Sequence, residues 1–309
     1  MSTPVSAIIT TCGRPQLLRQ AVKSLFAQDY EGHLEVLVIY DRIEVDPLAD
    51  LTVPPNRSLI TLSNTRTGGL AGGRNTGILA ASGQYVGFCD DDDTWLPGKL
   101  STQLKLWQMH PRASAISSGI LVHTGGKDIA RLAPPQATFE NFLVSRITEI
   151  HPSAMLYRTA DLRADDQAEY AIGLVDEDLP AGYGEDYDLL LRATRFAPIF
   201  SVPEPLIRVL WDRPSFFAGK WKNMAAGLTY LLQKFPEFEK YPQGLARITG
   251  QIAFAHAACG ERKLAHAYAL ATLRRDIRQL RAWASLTVAL GAVKGETLAA
   301  AVQKTGRGL

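Results

Sequence analysis

The chain has 309 residues, of which 46% are hydrophobic and 21% charged, and its formal net charge at pH 7 is +2. This is ordinary globular composition, and the length allows one large domain or two of medium size. No segment reaches the ~18 apolar residues of a membrane-spanning helix, and the N-terminus lacks the pattern of a signal peptide. Three scattered cysteines argue against a disulfide framework or a zinc site, so we expect a cytoplasmic protein.

The N-terminal third of the chain is predicted to alternate between strands and helices. Short apolar runs rich in β-branched residues indicate strands at 5–11, 34–40, 57–62 and 84–89. Apolar residues at helical spacing follow Pro15 and, later, Pro97, and proline suits a first helical turn. Continuous apolar strands separated by helices predict a mostly parallel sheet with helices on both faces. Ligands bind such sheets at the carboxyl ends of the strands.

Residues 110–215 have a more mixed pattern. Strand-like runs occur at 115–122 and 154–157, and an extended run occurs at 198–211. An acidic helix start lies between them, at 184–188. We therefore expect an α/β region over 1–215, made of one half over 1–110 and another over 111–215.

Residues 216–309 are predicted to form a helical region. Gly260 fits a turn between two helices, and Leu264, Tyr268 and Ala271 form an apolar stripe on the second of them. This part of the chain resembles a helical hairpin of the tetratricopeptide kind, without a repeat long enough to predict an array.

The helical region is also basic. Residues 241–309 carry +7, which leaves −5 of the total of +2 to the rest of the chain. Arg274, Arg275, Arg278 and Arg281 fall close together and form either a solvated face, a contact with an anionic membrane or a lipid diphosphate, or a homodimer interface. Nucleic acid binding is not expected, because the basic residues lack interleaved aromatic platforms.

Four consecutive aspartates, Asp90 to Asp93, follow the apolar strand at 84–89. Like charges this close resist ionisation beside one another. Carboxylates on a loop after a strand make a hard-oxygen site for Mg²⁺ or Mn²⁺, which usually takes only one or two of them. The others are then expected to bond a ribose, cap the following helix or face water. An acidic turn with only a capping role is the alternative.

A second acidic motif, at 184–188, begins a predicted helix. By helical spacing, Asp186 shares a face with apolar residues of the next two turns, and a carboxylate on a buried face is either paired or functional. Glu185 is alternatively a first-turn acid that favours the helix dipole. Asp188 is expected to pair with Arg192, four residues later.

The glycine-rich segment 64–77 is a candidate anion site. It lacks the ending of a P-loop and has no GxGxxG directly after a strand. Its glycines permit close backbone approach, and Arg74 lies where a helix begins. A flexible glycine turn is the alternative.

Together these motifs resemble family 2 glycosyltransferases of the GT-A fold, over about residues 5–212. The resemblance rests on segments in the family's order and spacing, at 5–28, 35–41, 73–100 and 182–192. It implies an α/β GT-A fold, with a mostly parallel, Rossmann-like central sheet flanked by helices and an α-helical C-terminal region outside the shared core. The half over 1–110 would bind the nucleotide and the half over 111–215 the acceptor.

The resemblance also implies residue roles. Asp92 matches the metal-binding aspartate, and Asp90 and Asp91 match positions near the ribose and the metal. Asp186 matches the general base, which would take the acceptor proton as the acceptor oxygen attacks the anomeric carbon. Further matches to donor-nucleotide positions are Thr10, Thr11, Arg14 and Arg74.

The chain departs from the family pattern in several places. Gly73 replaces the usual Ala before Arg74. The paired acids after the second strand read Tyr40-Asp41-Arg42, so Asp41 is the candidate to meet the base or ribose and the base preference stays open. The late His of many relatives is missing. The candidates for the acceptor side are Glu185, His151, Trp211 and Asp212.

The favoured hypothesis is an inverting glycosyltransferase that uses Mn²⁺ or Mg²⁺ and a nucleotide-diphosphate sugar, with a UDP-sugar preferred. A single displacement needs one base, whereas a double displacement would need a second carboxylate as nucleophile. The acceptor hydroxyl belongs to a saccharide, a lipid-linked molecule or a natural product. A sugar-nucleotide nucleotidyltransferase and a non-catalytic sugar-nucleotide-binding scaffold are the alternatives. The predicted location is the cytoplasm, including the inner face of the membrane.

Overall fold

The structure is a computed structural model that describes residues 3–211, 219–293, 295 and 297–298. The strands are β1 (Val5–Thr11), β2 (Leu34–Tyr40), β3 (Arg57–Ser63), β4 (Tyr85–Phe88), β5 (Thr94–Trp95), β6 (Ala115–Thr124), β7 (Lys127–Arg131), β8 (Gln136–Ala137), β9 (Leu156–Arg158) and β10 (Ile199–Leu210). The helices are α1 (Pro15–Phe26), α2 (Leu70–Ala80), α3 (Lys99–Met109), α4 (Phe139–Val144), α5 (Thr159–Arg163), α6 (Glu185–Phe196), α7 (Trp221–Lys234), α8 (Pro242–Ala258), α9 (Arg262–Arg275) and α10 (Leu280–Ala289).

One mixed sheet contains all the strands described. Its order is β3-β2-β1-β4-β9-β6-β10-β5, with β7 on β6 and β8 on β10. β1 pairs in parallel with β2 and β4, β2 with β3, and β6 with β10, whereas β9 runs antiparallel to both β4 and β6. The carboxyl ends of β1, β4, β6 and β10 therefore point the same way, and the predicted α/β class is confirmed.

Apolar burial explains the parallel half of the sheet. Every residue of β2 is buried, as is nearly all of β1, which fits strands covered on both faces. On α1, the buried residues include Leu18, Val22 and Leu25, which recur at helical spacing. Pro15 occupies the first turn of α1, as the sequence predicts.

The chain divides into two compact units. The first consists of Met1–Phe139, Ile147–Glu177 and Glu185–Arg213, and the second of Glu140–Arg146, Asp178–Gly184 and Pro214–Leu309. The second unit thus takes two short segments from the middle of the sequence in addition to its C-terminal helices.

Small residues bring the helices of the second unit close together. Ala253, Ala269 and Ala282 form a buried cluster from α8, α9 and α10. The hydroxyls of Thr249 and Thr272 are 2.7 Å apart. The chain reverses after α8 at Gly260, whose φ of 78° is accessible to glycine, as predicted.

The predicted apolar stripe of α9 is wrong at Leu264, whereas Tyr268 packs against the small-residue cluster. Leu264 is 47% exposed, and the buried residues of this helix are Ala265, Ala269 and Thr272. The helices approach through these small side chains, so the larger Leu264 is left at the surface.

Candidate functional site

The four aspartates form a tight turn, called here the acidic loop (Asp90–Asp93), between β4 and β5. The backbone N–H of Asp93 donates to the carbonyl of Asp90 at 3.0 Å, and the indole N–H of Trp95 donates to the carbonyl of Phe88 at 3.3 Å. The strand–turn–strand geometry separates the four carboxylates into different surroundings. Asp91 and Asp93 are buried, whereas Asp90 and Asp92 are partly exposed.

Asp91 and Asp92 face the end of β1 and the start of α1. The hydroxyl of Thr11 donates to Asp91 Oδ2 at 2.6 Å, and Arg14 Nη1 lies 3.3 Å from Asp91 Oδ1 and also pairs with Asp92. Burial raises the pKa of Asp91 to about 6, with contributions from the neighbouring aspartates, although Thr11 and Arg14 act in the opposite direction. Arg14 therefore neutralises part of the acidic loop in the absence of ligand.

Asp90 and Asp93 face a different segment. Ser153 donates its hydroxyl to Asp93 Oδ2 at 2.6 Å and accepts the backbone N–H of Asp90 at 3.1 Å. His151 Nδ1 lies 3.5 Å from the same oxygen of Asp93. Burial and the charge of Asp90 raise the pKa of Asp93 well above its ordinary value.

The structure thus brings together a possible set of metal ligands. One ligand atom from each of Asp90, Asp93 and His151 lies within 4.8 Å of the others. Carboxylate oxygens suit Mg²⁺ and Mn²⁺, and imidazole is also a ligand for transition metals. Asp92, the residue predicted from the sequence, lies outside this set and is paired with Arg14. The crowded carboxylates fit a divalent cation, which would relieve their repulsion.

Arg74 connects the acidic loop to α6. Its side chain is almost fully buried, with Nη2 donating to Asp90 Oδ1 at 3.0 Å and Nη1 donating to Glu185 Oε1 at 2.8 Å. Its guanidinium also lies 5.1 Å from the ring centre of Phe88. Burial opposes the charge of Arg74, but Asp90, Glu185 and Asp186 together raise its pKa. The sequence predicts Arg74 at the donor nucleotide, whereas its described contacts are to these carboxylates.

The acids of α6 differ from the predicted faces. Glu185 and Asp188 are buried, and Asp186 is only partly buried. Asp188 accepts a hydrogen bond from Arg192 Nε at 2.8 Å, so the predicted ion pair is confirmed. Burial and the charge of Asp186 raise the pKa of Glu185 to about 7, even though Arg74 lowers it. Asp186 and Glu185 therefore form an acidic pair that Arg74 links to the acidic loop.

Residues predicted to bind the nucleotide lie where β1 and β2 end. The Thr10 hydroxyl oxygen is buried and has no hydrogen-bond partner among the described residues. Asp41 accepts a hydrogen bond from Asn64 Nδ2 at 2.7 Å and another from the backbone N–H of Gly69 at 3.0 Å. Both contacts come from residues 64–69, here called the glycine loop. Asp41 therefore holds this loop at the carboxyl edge of the sheet.

Glu177 also holds the glycine loop and was missed by the sequence reasoning. It accepts a hydrogen bond from Asn75 Nδ2 at 2.6 Å, another from the Thr67 backbone N–H at 3.2 Å, and pairs with Arg66. Burial opposes the ionised form, but these donors lower the pKa of Glu177 to about 2. Ser153 was missed as well. For Glu177, the one signal in the sequence was its place in an acidic stretch after a hydrophobic run. That signal does not distinguish Glu177 from Asp176 or Asp178.

The acceptor candidates are dispersed. His151 lies at the acidic loop, and Glu185 is buried against Arg74. Trp211 follows β10, is 37% exposed, and has the Arg131 guanidinium 4.2 Å from its ring centre. Asp212 lies outside the described residues.

The fold is similar to those of several solved structures. The TarS protein of S. aureus, residues 1–349 in complex with UDP, is similar with a TM-score of 0.56 and 18% identity, over 94% of this chain and 91% of that one. The mannosyltransferase PcManGT of Pyrobaculum calidifontis, in complex with GDP-Man and Mn²⁺, is similar with a TM-score of 0.54 and 17% identity, over 95% and 89%. These similarities show a common fold.

Curated relatives match a shorter part of the chain. A GalNAc(5)-diNAcBac-PP-undecaprenol beta-1,3-glucosyltransferase of Campylobacter jejuni is 36% identical over 104 residues, 33% of this chain and 33% of its own. The Escherichia coli enzyme WfaP, a UDP-Glc:alpha-D-GlcNAc-diphosphoundecaprenol beta-1,3-glucosyltransferase, is 29% identical over 100 residues, 32% of this chain and 39% of its own. The chain thus matches about a third of the length of these relatives.

The model of a protein family matches a longer part of the chain than the curated relatives do. The model of glycosyl transferase family 2 matches residues 6–164, about half of the chain, including most of β1, the acidic loop and Ser153. With the fold and the arrangement of acidic residues, this establishes that the chain belongs to glycosyltransferase family 2.

Proposed function

We propose that the protein transfers a sugar from a nucleotide-diphosphate donor to an acceptor hydroxyl with inversion, in a metal-dependent reaction. One observation carries the proposal. Arg74 bonds both the acidic loop and Glu185, the neighbour of Asp186, and so fixes a cation-binding loop relative to a partly exposed carboxylate. A donor diphosphate at the loop and an acceptor hydroxyl at Asp186 would satisfy the two requirements of a single displacement.

The chain's own residues have distinct tasks in this reaction. Asp186 would accept the proton of the acceptor hydroxyl. At the same time the acceptor oxygen would bond to the anomeric carbon of the donor, and the bond from that carbon to the diphosphate would break. Arg14 would exchange its present contacts with Asp91 and Asp92 for the leaving diphosphate, which Arg binds well through its planar fork. The unpaired Thr10 hydroxyl and Asp41 would contact the nucleotide. When bound, Mn²⁺ or Mg²⁺ would supply Lewis-acid stabilisation of the diphosphate.

Two sets of carboxylates are available for the cation. Asp92 with Asp90 lies on the more exposed side of the acidic loop, which leaves room for the phosphates that share a Mg²⁺ or Mn²⁺ shell. Asp90 with Asp93 and His151 forms the more buried set. We assign the cation to Asp92 and Asp90, because the buried Asp93 leaves less room for the phosphates that share the cation's shell.

The donor is proposed to be a UDP-sugar. The WfaP relative is named for UDP-Glc, and the TarS structure contains UDP. The acceptor class follows from the names of the curated relatives, which act on saccharides joined through diphosphate to undecaprenol. We therefore propose a lipid-diphosphate-linked saccharide as the acceptor.

The test combines binding with turnover. A panel of nucleotide sugars with Mn²⁺ should raise the melting temperature by mass action, most for UDP-sugars. Asp186→Asn should keep this stabilisation but lose about 10²- to 10⁴-fold in kcat, the usual share of a general base. Full transfer by Asp186→Asn would refute the assigned base. Release of pyrophosphate from a nucleoside triphosphate would instead indicate a nucleotidyltransferase, and UDP binding without turnover on any acceptor would indicate a scaffold.

The cation assignment has its own matched pair of variants. Asp92→Asn should abolish the Mn²⁺-dependent part of the stabilisation by UDP, whereas Asp93→Asn should retain it. The reverse result would place the cation in the set with His151. If EDTA leaves transfer unchanged, metal dependence is refuted.

A further inference from the structure

The second unit exposes an apolar face on its last described helix. Leu280, Trp283 and Leu290 are 77%, 46% and 74% exposed and lie on one side of α10 by helical spacing. The opposite side of the helix, with Ala282, Ser285 and Ala289, is buried. Large apolar residues that cluster on one face, rather than occurring singly, indicate an interaction surface.

The turn before α10 extends this face. Ile277 is 69% exposed, and its carbonyl accepts the indole N–H of Trp283 at 2.8 Å. This bond brings the indole to the turn and satisfies its polar group within the chain. Ile277, Leu280, Trp283 and Leu290 are here called the apolar patch.

Positive charge borders the apolar patch. Arg274 and Arg275 are exposed at the end of α9, and the Arg278 side chain is 86% exposed. Asp276 is the one acid between residues 262 and 293, and it bonds Arg278. Arg281 differs from these three because its side chain is largely buried, on the inner side of α10. This burial lowers the pKa of Arg281. The outward charge is therefore carried by three arginines within five positions of the chain.

The charge determines the occupant. A symmetric pair of copies would bring the arginines of both chains to one interface, where Asp276 is the one acid between residues 262 and 293 that could offset them. An anionic surface gains from the same cluster, and the long arginine stems let the charges reach outward while the apolar residues insert. Among the described residues, no helix is long and apolar enough to cross a membrane, so the contact would be an interfacial one.

We propose that the apolar patch and the arginines beside it dock the second unit on an anionic phospholipid surface. Ile277, Leu280 and Trp283 would enter the boundary between headgroups and acyl chains, where tryptophan is favoured. Arg274, Arg275 and Arg278 would lie against the headgroup charges. The proposal concerns a surface apart from the acidic loop and does not depend on the reaction proposed above.

Sedimentation of the full chain with vesicles tests this surface. The protein should bind vesicles of phosphatidylcholine with 30% phosphatidylglycerol, and bind pure phosphatidylcholine at least about tenfold more weakly. Raising the salt should weaken binding, because exposed charges are screened. Equal binding to both vesicles, or binding to neither, would overturn the proposal.

Two variants separate the apolar and basic contributions. Ile277→Ser with Leu280→Ser should reduce vesicle binding at least about tenfold, since each change removes an exposed apolar side chain. Arg274→Gln with Arg275→Gln should reduce it by roughly 25-fold, or about fivefold for each charge. The matched control is Met109→Ser with Leu132→Ser, which removes two other apolar residues that are more than half exposed and should leave binding unchanged.

The same variants distinguish a second copy from a membrane. Light scattering without vesicles should show the same mass for the wild type and for Ile277→Ser with Leu280→Ser. If the wild type is a dimer that this variant dissociates, the patch is an interface between copies and the proposal is overturned. The melting temperature and the far-ultraviolet circular dichroism should be unchanged in all these variants, which shows that they are folded.

Discussion

Gly73 lacks a side chain because Thr10 occupies the place where one would lie. A Cβ built at Gly73 would be 2.3 Å from Thr10 Cγ2, far inside van der Waals contact. The same position usually carries Ala in the family that the sequence resembles, whereas in this chain Thr10 fills the space that an Ala side chain would need. Both residues lie beside the acidic loop, and a shift of either would move the groups proposed to hold the donor.

We expect Gly73→Ala to destabilise the protein. The added methyl must displace Thr10, and overpacking of this kind costs about 1–3 kcal/mol. Thr10→Ser removes the methyl that blocks the site, so the double variant should recover most of the loss. Urea denaturation of the single and double variants measures both effects.

A matched helical glycine provides the control for Gly73. Gly250 lies within α8, and a Cβ there would meet its nearest atom, Arg281 Cβ, at an ordinary 3.4 Å. Gly250→Ala should therefore stabilise by about 0.5–1 kcal/mol, since alanine favours the helix. If Gly73→Ala stabilises to the same extent, the close contact with Thr10 does not constrain the site.

A partner one helical turn away could be predicted from the sequence, but distant partners could not. The Asp188–Arg192 pair follows from the helical spacing of four residues. Arg74 was expected at the nucleotide from the family resemblance, whereas it pairs with carboxylates 16 and 111 positions away. Such partners depend on the order of strands in the sheet, which local pattern does not specify.

α3 contains a lysine that has no contact with water. Lys99 is 0% exposed, donates from Nζ to Gln103 Oε1 at 2.8 Å, and lies 3.9 Å from the ring centre of Trp95. Gln103 in turn donates to the carbonyl of Ala154 at 2.6 Å, next to Ser153, which bonds the acidic loop. Lys99 thus packs behind the site and joins α3 to the segment that holds Asp93.

Burial lowers the pKa of Lys99 from 10.5 to about 7. The unfolded chain therefore binds more protons at this residue between pH 7 and 10.5, so its contribution to stability rises with pH across that window. Lys99→Met keeps the stem and removes the amine. We expect the free energy of unfolding of the wild type, relative to Lys99→Met, to rise from pH 7 to 9 by up to about 1.4 kcal/mol per pH unit.

Denaturant unfolding at several pH values measures this difference. Lys105→Met is the matched control, because it removes an amine from the exposed side of the same helix. A similar slope for Lys105→Met, or a slope of the opposite sign for Lys99→Met, would show that the dependence does not arise from burial of Lys99.

Most strands could be predicted from the sequence, but the two shortest could not. β1, β2, β3, β6, β10 and α1 coincide with apolar runs of sufficient length for the period to be read. β5 and β8 have two residues each, too few to show alternation, and their pairing with β10 depends on the rest of the sheet. In α9 the sequence correctly predicted a helix, but it assigned the buried face to the larger side chains. The structure buries alanines there instead, because close packing of helices favours small side chains.

The two units are not successive along the chain. The second unit contains Glu140–Arg146 and Asp178–Gly184, so the polypeptide passes between the units several times. A Cβ at Gly244 would lie 1.7 Å from the carbonyl oxygen of Leu143, and one at Gly227 would lie 2.4 Å from that of Tyr183. The helices α7 and α8 thus touch these inserted segments directly. The proposed division at 215/216 would cut through the second unit and separate α7 and α8 from the segments that they touch.

We therefore expect a fragment of residues 1–215 to expose apolar surface. Phe142 and Leu143 are 0% and 1% exposed in the full chain, and each would return about 1.5–3 kcal/mol of burial to water if uncovered. The fragment should bind 8-anilinonaphthalene-1-sulfonate strongly and aggregate on warming, whereas the full chain should not. Phe142→Ser with Leu143→Ser is the matched variant, and it should reduce dye binding by the fragment while destabilising the full chain. A fragment that binds no dye, and is unaffected by these substitutions, would show that 1–215 folds as an independent domain.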